Sequence, residues 1–162
     1  MIVAAIADTH LPRGARRLPD ACLERLGGAD LILHAGDVSS VAALDELRAL
    51  GPPVHAVHGN ADEEVLRTTL PDQLTVEAAG TCIGIVHAPG PGTGRESRLL
   101  ARFPGCDAVL FGHTHLPVVE RHGEIWLLNP GSPTERRRAP FRSMLMLRIA
   151  RGRIEPELVR LI

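Results

Sequence analysis

The sequence of 162 residues contains no lysine and no tyrosine, and it has only three phenylalanines and one tryptophan. The absence of lysine excludes chemistry that proceeds through a Schiff base on the protein. So few aromatic rings give little surface on which nucleic-acid bases can stack. A net charge of −1 provides no overall basic field, so the composition carries no strong nucleic-acid signal and argues against a nuclease.

Long apolar segments are absent as well. The longest apolar runs, such as 31–33 and 83–86, are far too short to span a bilayer, and no charged segment precedes the first strand-like run. The three cysteines, Cys22, Cys82 and Cys106, are odd in number and lack CxxC spacing. We therefore expect a cytoplasmic protein with no membrane partner, no disulfide, no cysteine-ligated zinc and buried free thiols.

The first sixty residues alternate between buried strand-like runs and helical segments. Strands are predicted at 2–7, 31–34 and 54–57. Helices are predicted at 20–26 and after a cap at Ser39-Ser40. This repeat indicates parallel strands joined by right-handed crossovers. In such sheets, ligands bind beyond the carboxyl ends of the strands.

The remainder of the chain is predicted to be mainly β. We expect a hairpin over 74–86, a short helix near 96–102, a buried strand at 108–111 and further strands between 118 and 161. Two packed sheets with helices outside accommodate both halves, so the prediction is an α/β fold. No linker or repeat interrupts the sequence, which favours one domain over residues 1–162.

Metal-ligating side chains follow the predicted strands. Asp8 and His10 follow the first strand, and His113 and His115 follow the buried strand of the second half. Residues two apart in extended backbone project to the same side, so each pair is expected to face a metal site. The other candidate ligands at strand ends are Asp37, Asn60 and His87.

This donor set predicts a pair of metal ions. Seven oxygen and nitrogen donors without thiolate exceed the needs of one tetrahedral ion, and they suit Mn²⁺, Fe, Zn²⁺, Co²⁺ or Ni²⁺. Two divalent ions, two carboxylates and a bridging hydroxide leave a net charge of about +1, which attracts an anion. Two metals about 4 Å apart match in-line displacement at phosphorus, and no serine or cysteine nucleophile is required.

The strand-end motifs occur in a fixed order along the chain: Asp8-x-His10, Gly36-Asp37, Gly59-Asn60, His87 and Gly112-His113-x-His115. In this order they resemble the motifs of the calcineurin-like metallophosphoesterase superfamily. The short chain and the turn 129–132 (Asn-Pro-Gly-Ser) make it similar to the small single-domain bacterial and archaeal phosphodiesterases. The resemblance covers nearly the whole chain and implies a four-layer αββα sandwich of two mixed β-sheets flanked by helices.

The resemblance also implies two metal ions, with Mn²⁺ as the usual activator, and a phosphodiesterase acting on small or nucleotide-like diesters. It casts Asp37, Asn60 and His87 as the catalytic residues, with Asp37 bridging the metals. The implied ligands are Asp8, His10 and His115 for the first ion, and Asn60, His87 and His113 for the second.

The chain departs from the superfamily pattern at Ala61. Many members have a histidine after the metal-bound asparagine, and that histidine helps the leaving group to depart. General acid catalysis is typically worth about 10²–10⁴ in rate. Its absence here favours leaving groups that depart without a proton donor.

Three residues are candidates for substrate contact. His58 adjoins the Asn60 turn, and Arg136 and Arg137 follow the turn 129–132. Guanidinium groups bind phosphate in bidentate fashion, but a solvated loop is the favoured explanation of these arginines. His34 precedes Asp37 inside a strand and is predicted to be a packed, hydrogen-bonded core residue.

Two other functions remain open for this sequence. One is a phosphomonoesterase of broad specificity. The other is a non-catalytic binding scaffold, similar to the retromer subunit that shares this fold but has lost ligand histidines. The expected partner is a small phosphate-ester substrate, and the oligomeric state is undetermined.

Overall fold

A computed structural model describes all residues from Met1 to Ile162. Its secondary structure comprises ten strands and four helices in a mostly alternating order. In chain order the elements are β1 (Ile2–Ile6), α1 (Asp20–Gly27), β2 (Leu31–His34), α2 (Val41–Arg48), β3 (Val54–Ala56), α3 (Glu64–Thr69), β4 (Gln73–Ala78), β5 (Thr81–Val86), α4 (Arg95–Arg102), β6 (Ala108–Phe111), β7 (Val118–His122), β8 (Ile125–Asn129), β9 (Arg142–Ala150) and β10 (Arg153–Leu161).

The strands form two mixed five-stranded sheets. The first sheet has the order β10-β9-β1-β2-β3, and the second has the order β4-β5-β6-β8-β7. Strands β1, β2 and β3 are parallel, as are β5, β6 and β8. Strand β9 pairs antiparallel to β1, β4 to β5 and β7 to β8, and β10 pairs antiparallel to β9. The predicted α/β sandwich of two mixed sheets is therefore confirmed.

Three apolar clusters hold the layers together. The largest lies between the sheets and includes Val3, Leu33, Ile85 and Leu110. A second cluster packs α1, α2 and α3 on the outer face of the first sheet, and a third packs α4 on the outer face of the second. Burying a Leu, Ile or Val side chain stabilises the fold by about 1.5–3 kcal/mol, so the core is stabilised mainly by aliphatic side chains, with Phe103 and Phe111 in the third cluster.

Local sequence explains where α2 begins. Ser40 has an extended backbone, and its hydroxyl oxygen accepts a hydrogen bond from the Ala43 amide at 3.1 Å. Ala43, Leu44 and Leu47 form the buried face of this helix. In contrast, α3 was not predicted, because it has six residues, no side-chain cap and a single buried side chain, Leu66.

The prediction of three free thiols is wrong for two of the cysteines. Cys82 and Cys106 are joined by a disulfide with their Cα atoms 4.6 Å apart, whereas Cys22 is free and buried. Their proximity follows from the pairing of β5 with β6, in which Ile83 lies opposite Ala108. A separation of 24 residues gives no local sequence signal for this pairing.

None of the helices is both long enough and apolar enough to cross a membrane. The cytoplasmic location and the assignment of residues 1–162 to one domain stay predictions.

Candidate metal centre

All seven predicted ligands lie just beyond the carboxyl ends of parallel strands. The loops after β1, β2 and β3 bring their ligands from the first sheet, and those after β5 and β6 bring theirs from the second. The two edges are tied together directly, since the His113 amide donates to Asp8 Oδ2 at 2.9 Å and His87 Nδ1 lies 2.8 Å from the Ala35 carbonyl oxygen. The ligands of both sheets therefore face one another across a shared edge.

The first group of ligands contains Asp8, His10 and His115. The Nε2 atoms of the two histidines are 3.2 Å apart, and Asp8 Oδ1 lies 3.5 Å from His115 Nε2 and 4.0 Å from His10 Nε2. All three side chains are buried. These donor atoms form a cluster of the kind that holds a divalent cation.

The second group contains Asn60, His87 and His113. Asn60 Oδ1 lies 3.1 Å from His87 Nε2 and 3.0 Å from His113 Nδ1. His87 is buried, but Asn60 and His113 are exposed to solvent, so this group lies on the open side of the centre. The structure thus places His113 in this group and His115 in the first, the division of ligands that the resemblance implies.

Asp37 lies between the two groups. Its Oδ2 atom is 3.7 Å from His10 Nε2 on one side and 3.3 Å from His87 Nε2 on the other. Its Oδ1 atom accepts a hydrogen bond from the Ala61 amide at 2.8 Å. This placement leaves one carboxylate oxygen directed at both groups.

Two of the histidines are oriented by hydrogen bonds from their second ring nitrogen. Nδ1 of His87 pairs with the Ala35 carbonyl oxygen at 2.8 Å, and Nδ1 of His115 pairs with the Glu135 carbonyl oxygen at 2.7 Å. A ring that donates from Nδ1 to a carbonyl keeps Nε2 unprotonated, which is the form that binds a metal. The hydrogen bonds therefore prepare both Nε2 atoms as ligands.

The ligand loops adopt an uncommon backbone conformation. Five of the seven predicted ligands have left-handed φ angles between 47° and 71°, and these are Asp8, His10, Asp37, His113 and His115. Each such residue costs of order 1–3 kcal/mol, and strained positions of this kind concentrate at functional sites. The extended backbone expected for the two Asp-x-His and His-x-His pairs is consequently wrong, and the left-handed turns aim these side chains instead.

Two glycines are required by close packing at the centre. A Cβ atom on Gly36 would lie 2.5 Å from Nδ1 of His87, and Gly36 also has a φ of +90°. A Cβ atom on Gly59 would collide with the carboxylate of Asp37. Only glycine allows the backbone to approach these ligands so closely.

A buried carboxylate that sequence reasoning did not single out supports Asp37. Asp62 accepts hydrogen bonds from the backbone amides of Asp37, Ser39 and Gly59, at 3.2, 2.6 and 2.6 Å. Its side chain is 6% exposed. Asp62 thus joins the loop after β2 to the loop after β3, and its position two residues after Asn60 was the available signal.

The turn after β8 supports the first group. The Ser132 hydroxyl donates to the Asp8 carbonyl oxygen at 2.7 Å, and the Thr134 hydroxyl donates to that of Thr9 at 2.7 Å. Asn129 donates to the Gly112 carbonyl oxygen at 3.1 Å. The polar residues of this turn therefore fix the backbone from which the ligands project.

The pKa values of the two carboxylates of the centre, Asp8 and Asp37, are shifted in opposite directions. Burial raises the pKa of Asp8 to about 7, and its Oδ1 atom has no hydrogen-bond partner. Burial also acts to raise the pKa of Asp37, but the hydrogen bond and charge of His87 outweigh it and hold that pKa at about 2. A buried acceptor without a donor is unfavourable, and a cation between these groups would satisfy Asp8 Oδ1.

His34 lies beneath the centre and is not placed among the ligands. It is fully buried, and its Nε2 atom is 3.0 Å from the Thr9 hydroxyl oxygen. Burial lowers the pKa of His34 to about 3. The ring is therefore neutral and packed within the folded protein at neutral pH.

This pKa predicts a pH-dependent stability. Unfolded histidine has a pKa near 6.5, so acidification favours the unfolded chain, and the contribution of His34 is lost as the pH falls from about 6.5 towards 3. Relative to His34→Gln, the wild-type free energy of unfolding should fall by up to about 1.4 kcal/mol per pH unit between about pH 6 and pH 4. Urea titrations of the metal-free proteins at several pH values measure how the free energy of unfolding depends on pH. The free energy of unfolding of the exposed control His55→Gln should change with pH as that of wild type does. If His34→Gln also shows the wild-type pH dependence, the claim that burial lowers the pKa of His34 is refuted.

The three predicted substrate contacts lie in different surroundings. His58 lines a cleft of about 290 Å³ together with Asn60 and His87. Arg137 pairs with Glu135 at 3.7 Å, and burial raises the pKa of Asp8 although the positive charge of Arg137 acts to lower it, so this charge is felt at the centre. The Arg136 guanidinium instead donates to the carbonyl oxygens at positions 139 and 140, within its own loop.

Comparison with known proteins identifies the family. The model of the calcineurin-like phosphoesterase superfamily domain matches residues 1–152. A probable metallophosphoesterase of Methanothermobacter thermautotrophicus is 35% identical over 162 residues, covering 99% of this chain and 92% of that protein. One from Methanocaldococcus jannaschii is 36% identical over 162 residues, covering 98% and 81%. Wild-type Vps29 of Entamoeba histolytica, crystallised in complex with Zn²⁺, has a TM-score of 0.77 and 25% identity, with 99% of each chain covered. The chain belongs to the calcineurin-like phosphoesterase superfamily.

Proposed function

We propose that this protein is a metal-dependent phosphodiesterase that hydrolyses small or nucleotide-like phosphodiesters. The observation that carries the proposal is the arrangement of two ligand groups on either side of Asp37, whose Oδ2 atom lies within 3.7 Å of a histidine from each. A carboxylate so placed suits a bridge between two ions.

The residues present fit a pair of divalent transition ions. The donors are imidazole nitrogens, carboxylate oxygens and one amide oxygen, which suit Mn²⁺, Fe, Zn²⁺, Co²⁺ or Ni²⁺, and we propose Mn²⁺. Asp8 Oδ1, which is buried and has no partner, supplies a further ligand atom. When bound, such ions supply a Lewis acid that neutralises phosphoryl charge and lowers the pKa of water.

The protein's own groups bind and orient the substrate. The exposed side of the centre, at Asn60 and His113, is where a phosphoryl group reaches the ligands. Arg137 adds a positive charge that favours an anionic ester. Asp37, placed between the two groups, would serve as a ligand in its ionised form.

The residue beside the amide ligand supplies no proton. Ala61 is exposed next to Asn60, and its backbone amide is already used by Asp37. The leaving alcohol of a hydrolysed ester must therefore depart without a side-chain acid from this position. Good leaving groups tolerate this absence, whereas an alkoxide from an alkyl ester does not.

We accordingly expect faster hydrolysis of bis(p-nitrophenyl) phosphate than of an alkyl phosphate monoester. The difference in kcat/KM should be about 10²–10⁴, the usual worth of general acid catalysis. Ala61→His is the matched variant, since a titratable ring at this position should narrow the difference. Side-by-side kinetics with Mn²⁺ measure both substrates, and a preference for the alkyl monoester would overturn the argument.

Two specific observations bear on the alternative functions. An open centre with exposed Asn60 and His113 also admits a phosphomonoester, which keeps a broad-specificity phosphomonoesterase as the second candidate. The structural likeness to Vps29 favours a binding scaffold. The presence of every expected ligand in two groups favours an enzyme over a scaffold.

A further inference from the structure

A cleft opens directly from the second ligand group. It has a volume of about 290 Å³, and Asn60 and His87 form part of its wall. Two arginines, Arg67 and Arg102, line the same cleft together with His58. Any group attached to a phosphoryl bound at the centre can extend into this space, which we call the Arg67 cleft.

Arg67 has no partner within the protein. It lies in the last turn of α3, and its exposed guanidinium makes neither a hydrogen bond nor an ion pair. The cleft wall beside it already carries two predicted metal ligands. With cations bound at the centre, the unpaired charge of Arg67 would add to a positive field that favours an anion in the cleft.

Arg102 is held in place at the cleft wall. Its Nη2 atom donates to Asp72 Oδ2 at 3.1 Å, and its Nε atom donates to the side-chain oxygen of Gln73. These contacts tie the end of α4 to the start of β4. Two guanidinium groups and one carboxylate, that of Asp72, line the cleft, so its net charge is positive.

The chemistry of the lining restricts the ligand. Only Val86 and Ala88 are apolar among the nine lining residues, and no phenylalanine or tryptophan is present. The cleft therefore offers a nucleobase no large aromatic ring, and one of its two imidazoles, that of His87, is a predicted metal ligand. Guanidinium groups bind phosphate oxygens well, with two donors directed in parallel.

We propose that the Arg67 cleft binds a second phosphate group of the substrate. The preferred substrates are then diesters that carry a further phosphate, with the reacting phosphoryl at the metal centre and the second one at Arg67 and Arg102. This inference rests on the proposed function and names the substrate class. It also assigns Arg67 a role in specificity.

A matched pair of substrates tests the inference. Thymidine 5′-(p-nitrophenyl phosphate) and its 3′-phosphorylated form differ only in the second phosphate and share a leaving group. With Mn²⁺, wild type should have a higher kcat/KM for the 3′-phosphorylated form than for the other diester. Arg67→Gln should reduce the ratio of these two kcat/KM values about tenfold, because one charged contact is lost. Arg151→Gln, in the exposed turn between β9 and β10, should preserve the wild-type ratio.

A binding measurement provides a readout without turnover. In calorimetric titrations with thymidine 3′,5′-bisphosphate, Arg67→Gln should raise the Kd about tenfold relative to wild type and Arg151→Gln. Hydrolysis of both diesters with a ratio that Arg67→Gln leaves unchanged would overturn the inference and leave the phosphodiesterase intact. If wild type hydrolyses neither diester, the proposed function fails. The calorimetric titration then tests the inference by itself, and a Kd that Arg67→Gln leaves unchanged would overturn it.

Discussion

Replacing Asp37 with asparagine is expected to abolish hydrolysis of bis(p-nitrophenyl) phosphate and to disturb metal binding in both ligand groups. The Oδ2 atom of Asp37 faces His10 Nε2 at 3.7 Å and His87 Nε2 at 3.3 Å. An amide in its place would remove a negative charge from between the two proposed cations. Loss of several kcal/mol of charge stabilisation lowers kcat by at least about 10³-fold.

The substitution tests the bridge without removing the fold. Asparagine has nearly the same shape, and its oxygen can still accept the Ala61 amide that bonds to Asp37 Oδ1 at 2.8 Å. Asp45→Asn, at an exposed position on α2, is the matched control and should retain both metals and full activity. Near-normal turnover by Asp37→Asn with two ions bound would refute the bridging role.

The second large effect is expected at Asp62, in the stability of the metal-free protein. Asp62→Ala leaves three largely buried backbone amides, those of Asp37, Ser39 and Gly59, without their acceptor. Each unsatisfied buried group costs about 1–3 kcal/mol. With partial relaxation, we expect the free energy of unfolding to fall by about 3–5 kcal/mol.

Chemical denaturation of the metal-free protein measures this loss of stability without a contribution from metal binding. Asp45→Ala removes a carboxylate of the same size from the surface and should change stability by less than about 0.5 kcal/mol. Metal affinity should also fall in Asp62→Ala, since groups that orient ligands are typically worth about 10–100-fold. A loss of stability below about 1 kcal/mol would show that the three amides find other partners.

Much of the fold was accessible from the sequence because it depends on local patterns. The buried runs that became β2 and β6 end abruptly at polar residues, so both strands were predicted with the bounds that the structure shows. The cap at Ser40 likewise placed the start of α2. Helix α3 escaped prediction because its burial comes from a single residue, Leu66, and a six-residue helix has little periodicity.

The identities of the ligands were predictable, but their geometry was not. Asp8 and His10 were expected in extended backbone, whereas both have left-handed φ angles that only the surrounding packing can impose. The division of His113 and His115 between two groups was implied by the family resemblance, because the spacing of the two histidines alone does not indicate it. The Cys82–Cys106 pairing and the Arg67 cleft depend in the same way on contacts between distant elements.

Metal stoichiometry coupled to activity tests the central claim most directly. Protein freed of metal with a chelator is titrated with Mn²⁺. At each point the bound metal per chain and the rate of hydrolysis of bis(p-nitrophenyl) phosphate are measured. Two ligand groups joined at Asp37 predict two ions per chain, with activity that appears as the second ion binds. A chain that binds no stoichiometric transition metal and gains no activity would contradict the account.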